Sequence, residues 1–99
     1  MKKLNVVVYT MKGCPFCDEF KTILESEKID FVDRDIHENE EEYNLFSEII
    51  ENEFIPAILI IEEDKNGKKH TPFMYAPERD YENLTEAKDI IKNHIKKII

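Results

Sequence analysis

The 99 residues carry 14 Lys and Arg against 22 Asp and Glu, a formal net charge of -8, which argues against a nucleic-acid partner because a phosphate backbone is held by clustered cations. An apolar content of 41%, a charged content of 36% and only two glycines describe one compact domain over residues 1–99 and exclude a disordered or low-complexity chain. That length is expected to carry one core without a second domain to close a cleft, which predicts a site on the fold's own surface.

The chain opens with MKKLNVVVYT. Its apolar run is too short to span a membrane and no small-residue cleavage site follows, so no signal peptide is expected and the predicted location is the cytoplasm, without a membrane partner. Leu4 to Thr10 is β-branched and apolar without alternation, as in a central strand covered on both faces. Pro15 then stands at the start of a helical pattern in which Cys17, Phe20, Ile23 and Leu24 share a face, running to Ser26 or Lys28. Residues 29–36, IDFVDRDI, read as a second strand with Phe31 and Val32 as the inward candidates. The acidic HENEEEY suits a helix start, and Tyr43, Phe46, Ile49 and Ile50 give that helix its apolar face.

IPAILIIEE, 55–63, is the third strand, Asn66-Gly67 marks a tight hairpin, and KHTPFMYA, 69–76, returns as a fourth strand that Pro72 assigns to an edge. Leu84, Ala87, Ile90, Ile91, Ile95 and Ile98 form the stripe of a last helix. Its Lys88, Lys92, Lys96 and Lys97 fit the negative end of the helix dipole and do not require an anionic partner. The predicted order is β-α-β-α-β-β-α, an α/β fold with a mixed four-stranded sheet and helices on both faces.

The only two cysteines, Cys14 and Cys17, fall where the first strand gives way to the first helix. In a reducing compartment such a pair does redox or metal chemistry more often than stapling. Backbone N–H groups at a helix N-terminus favour a thiolate at Cys14 but not at Cys17, one turn in. The three-residue step lets the second sulfur turn back on the first, so that Cys14 can attack a disulfide and Cys17 can resolve the intermediate. Asp18 and Glu19, in the same turn, oppose the thiolate. A closed zinc site would need further ligands, and His37, His70 and His94 lack the spacing of a finger pair; no metal site is expected. They read as surface or helix-face residues. Two buried structural thiols fit poorly with Gly13 and Pro15, which shape an exposed turn.

VVVYT, then CPFC at a helix start, then VDRDIHEN and FIPAILI together resemble the glutaredoxins and, more broadly, the thioredoxin fold, over nearly the whole chain. Cys-Pro-aromatic-Cys is that family's redox motif, here with Phe16 where tyrosine is commoner. The resemblance implies a dithiol–disulfide oxidoreductase acting on protein or glutathione mixed disulfides, with Cys14 and Cys17 catalytic and Pro15, Phe16, Ile55 and Pro56 binding substrate. It implies a cis bond before Pro56 and a substrate strand paired with the Ile55 backbone, and an X-Pro bond is the one that has an appreciable cis population.

Three departures bear on glutathione, the implied reducing co-substrate; no bound cofactor is expected. Met11 replaces a lysine that would help hold its carboxylate, with Lys12 one residue late. Arg79 and Asp80 fall on a Gly-Gly pair whose backbone holds the γ-glutamyl end, although Arg79 could pair with a carboxylate. Glu51 and Glu53, before Pro56, would repel an anion. The stretch NGKKHTPFMYAPERDYENL resembles instead the thioredoxin and disulfide-isomerase pattern of hairpin, aromatic edge strand and Tyr-x-x-x-Arg. The alternative is therefore a thioredoxin-like electron donor, for instance to a ribonucleotide reductase, recharged by a reductase flavoprotein. A cluster carrier bridging two chains through Cys14 and glutathione, and a non-catalytic binding module, stand behind it; the expected protein is a monomer.

Overall fold

The computed structural model describes the backbone of residues 3–98 and the side chains of residues 3–97. Along the chain come β1 (Lys3–Thr10), α1 (Pro15–Ser26), β2 (Val32–Asp35), α2 (Glu40–Ile50), β3 (Ala57–Glu63), β4 (Phe73–Tyr75) and α3 (Leu84–Ile98), the predicted order. The strands form one sheet in the order β2-β1-β3-β4, with β1 parallel to β2 and the other two pairings antiparallel.

The unbroken apolar run of β1 is explained by its place. Val6 and Val8 face a core with Phe20 and Leu24 of α1, Ile58 and Ile60 of β3, and Ala87 and Ile91 of α3. Val7 and Tyr9 face a second core with Tyr43, Phe46 and Ile50 of α2. Alternate residues thus serve opposite layers, α1 and α3 on one face and α2 on the other, which is why a period of two never appears as an apolar/polar pattern. The side chain of Ile98, assigned above to the apolar stripe of α3, lies outside the described residues. No described helix is long and apolar enough to cross a membrane.

The register positions the site. Tyr9 pairs with Ala57 and Thr10 with Asp35, so the turn after β1 and the segment before β3 emerge side by side at one end of the sheet. The two central strands therefore deliver Cys14 and Pro56 to neighbouring loops.

Several local expectations are corrected. The second strand is only Val32–Asp35, and Val32 is 49% exposed, because the α2 side chains pack over Val7, Tyr9 and Ala57 of the inner strands and leave this edge uncovered. Ile49 is 58% exposed; Tyr43, Phe46 and Ile50 already fill the buried face of α2, and Ile49 lies about 100° round the helix from Ile50. Strand β3 begins at Ala57 rather than Ile55. At the hairpin, Gly67 takes the positive φ of +81° and donates to the Asp64 carbonyl at 2.9 Å, so Lys65 and Asn66 occupy the centre of the turn. Beyond an isolated bridge at Lys69, β4 pairs only over Phe73–Tyr75; it is the edge that Pro72 indicated. His94 is 4% exposed rather than at the surface: its Nε2 is 2.7 Å from the Tyr75 hydroxyl and its Nδ1 is 3.2 Å from a Glu62 carboxylate oxygen.

Candidate active site

The turn into α1 is built to hold one sulfur at the helix end. Gly13 adopts φ +79° with nothing near the place of a Cβ, so the backbone angle rather than crowding favours glycine there. Cys14 is the N-cap in extended conformation, and its Sγ accepts the Cys17 N–H at 3.2 Å. Pro15, with no N–H to leave unpaired, takes the first helical position. Cys14 and Cys17 are joined in a disulfide with their Cα atoms 5.2 Å apart. Cys17 is wholly buried, whereas Cys14 keeps 8% exposure and Phe16 between them is 64% exposed.

The charges round this turn fall into two groups. Asp18 lies 3.7 Å from the Lys21 ammonium, which also binds Asp33 at 3.0 Å, while Thr10 donates to Asp33 at 2.5 Å. Partial burial disfavours the Asp33 charge, yet the hydrogen bonds from Thr10 and Lys21 outweigh it and hold that carboxyl below its usual range. The Asp33 hydrogen bond in turn raises Lys21. Lys12 is exposed and borders this acidic hollow with Met11, Asp35 and Glu38. Glu19 does not border this hollow but lines a groove.

That groove, about 520 Å3, runs from Phe16 and Ile23 of α1 across Ile55 and Pro56 to Pro77, Tyr81 and Leu84. The Ile55-Pro56 bond is cis, as the resemblance implied. Ile55 precedes the β1–β3 ladder, which starts at Ala57. The Tyr81 hydroxyl donates to the Pro56 carbonyl, tying the far wall to the floor. Burial, reinforced by the nearby Asp80 charge, pushes the Tyr81 phenol well above its ordinary value.

Arg79 and Asp80 do not line the groove. Asp80 accepts the Ala76 N–H at 2.9 Å and returns its own N–H to the Ala76 carbonyl at 3.0 Å, while Arg79 holds Asp80 at 2.5 Å and the Met74 carbonyl at 3.3 Å. The pair folds the 76–80 loop on itself. Glu51 and Glu53 line a separate hollow with Phe54. The structure thus brings Phe16, Ile55 and Pro56 together beside the cysteine turn, and sets Lys12, Arg79 and Asp80 apart from them. Sequence reasoning missed Glu19, Ile23, Pro77 and Glu78 as groove walls. The Tyr81-Glu82-Asn83-Leu84 approach to α3 was the one local signal that a wall begins there.

Comparison with known proteins agrees with this geometry. A Trichomonas vaginalis thioredoxin is similar with a TM-score of 0.54 at 19% identity, over 92% of this chain and 78% of that one. A reduced Schistosoma mansoni thioredoxin pre-protein is similar with a TM-score of 0.52 at 26% identity, again over 92% and 78%. The architecture is the thioredoxin fold. The profile of the Glutaredoxin family matches residues 6–64, more than half of the sequence, and the chain belongs to that family of thiol–disulfide oxidoreductases. No curated protein sequence matches it.

Proposed function

We propose that the protein reduces protein or glutathione mixed disulfides, with Cys14 as nucleophile and Cys17 as resolving thiol. One observation carries the assignment of roles: Cys14 Sγ sits at the N-cap of α1, accepting a helix N–H, while Cys17 is sealed inside. In the reduced protein that N–H favours the thiolate of Cys14. The thiolate attacks one sulfur of the substrate; the new S–S bond forms as the old one breaks, and the departing thiolate takes a proton from water. Cys17 gives its proton to the hydroxide left by that transfer, and its thiolate attacks Cys14 Sγ, forming the Cys14–Cys17 bond as the mixed disulfide breaks and the second substrate thiolate leaves. Two electrons have passed to the substrate, and the product is the Cys14–Cys17 disulfide seen here.

Pro15, Phe16, Ile55 and Pro56 dock the substrate, whose extended chain pairs with the Ile55 backbone. The reductant is glutathione or a reductase flavoprotein, the protein acting as a cytoplasmic monomer. The second is favoured by placement, since Lys12, Arg79 and Asp80 stand apart from the groove and, among the described residues, no Lys or Arg lines it. The described residues of the groove thus offer a small anionic tripeptide no cation. Reduction of a peptide–glutathione mixed disulfide, coupled to NADPH oxidation through either glutathione reductase or thioredoxin reductase, tests both parts. Turnover that vanishes in Cys14→Ser is expected. Failure of the intact dithiol to turn over in either system refutes the oxidoreductase reading.

A further inference from the structure

Three glutamates from three separate segments line the groove: Glu19 from α1, Glu78 from the loop after β4, and Glu82 from the approach to α3. Among the described residues none of them takes part in an ion pair. The cations close to them in sequence are engaged elsewhere, Lys21 with Asp33 and Asp18, and Arg79 with Asp80. The groove, whose floor is the apolar Ile55 and Pro56 and whose walls also include Asn83 and Thr85, therefore carries negative charge on its rim with no cation paired to it among the described residues, and that charge acts on whatever enters.

We propose that the groove selects disulfides borne on cationic segments: an extended stretch of a protein substrate that lays an apolar side chain over Ile55 and Pro56 and presents Lys or Arg beside its cysteine. The inference rests on the oxidoreductase reading and adds its substrate class. The apolar floor supplies contact area, and the three glutamates supply charge complementarity, which sets partner choice and encounter rate. Glu40 and Glu41, at the start of α2, border a separate hollow with His37 and Glu38 and lie outside this groove, so they contribute to net charge and not to this preference.

The test uses the reduced full-length protein and two disulfide-linked peptides, identical except that the residues flanking the cysteine are lysine in one and glutamate in the other. Second-order rates of oxidation are read by acid quench and chromatography, and the lysine-to-glutamate rate ratio is taken within each protein, so that a general change in reactivity cancels. A ratio of roughly ten is expected, from exposed pairs that each contribute a few-fold, and it shrinks as salt is added. Glu19→Gln, Glu78→Gln and Glu82→Gln together should bring the ratio near that of salt-screened protein. Asp30→Asn, Glu40→Gln and Glu41→Gln, with the same change in net charge outside the groove lining, should leave it standing. Equal rates for the two peptides, a preference for glutamate, or an equal loss from these control substitutions overturns the proposal while leaving the redox reading intact. Failure of both peptides to oxidise the dithiol overturns both.

Discussion

Replacing Tyr81 by phenylalanine removes one hydroxyl and leaves the Pro56 carbonyl, on a buried residue, without its donor. An unsatisfied buried acceptor costs about 1–3 kcal/mol; Tyr81 borders the groove and water can reach part of this site, so about 1.5 kcal/mol is expected at pH 8. The pH dependence is sharper. Tyr81 has its folded pKa raised, by burial first and by Asp80 second, so the stability it contributes is fully present below the unfolded pKa of about 10 and is lost as pH rises beyond it. Above pH 10 the unfolded parent releases a proton that the folded parent keeps, and the parent loses about 1.4 kcal/mol per pH unit that the phenylalanine variant does not. The gap between the two should narrow from pH 10 upward and close near pH 11. Urea unfolding of the oxidised proteins at pH 8, 10 and 11, followed by circular dichroism, measures it. A gap that stays constant with pH shows that the phenol titrates alike in both states, and the absence of any gap at pH 8 shows that the hydroxyl does not support the Pro56 carbonyl.

In the reduced protein iodoacetamide at neutral pH should alkylate Cys14 first; peptide mapping that finds Cys17 modified first reverses the proposed roles. Phe20, wholly buried between β1, β3 and α3, should cost about 3–5 kcal/mol as Phe20→Ala, and a denaturation midpoint close to that of the parent contradicts the core described. Glutathione should saturate the protein poorly, and its second-order rate should rise with ionic strength, because a net charge of -8 repels an anion and salt screens that repulsion. A rate that falls steeply with salt instead reveals a local cationic pocket, with Lys12 and Arg79 the first residues to replace.

Features encoded along the chain were the ones the sequence revealed. The proline at the first helical position, the apolar stripes of α1 and α3 and the two-faced run of β1 each follow from neighbours within a few residues. What escaped depends on partners far away in sequence. His94 looks like a helix-face residue until β3 and β4 supply Glu62 and Tyr75, which lie 32 and 19 residues off. Arg79 and Asp80 look available for a ligand, but their backbone and side-chain bonds close the 76–80 loop instead. Glu19 stands two residues after Cys17, and along the chain only its effect on the cysteine pair is visible. Its second neighbour is a groove assembled from residues about 36 to 66 positions later, which no window along the chain contains.

Cys14 Sγ, the proposed nucleophile, belongs to the less deeply buried residue of the pair and is also the acceptor that closes the first turn of α1. A thiolate accepts a hydrogen bond well, a thioether or an oxidised sulfur differently, so each chemical state of this one atom sets its own helix-end stability. The protein's melting temperature is therefore a readout of the sulfur's history, and alkylation, reduction or a mixed disulfide at Cys14 should each be distinguishable by heat alone.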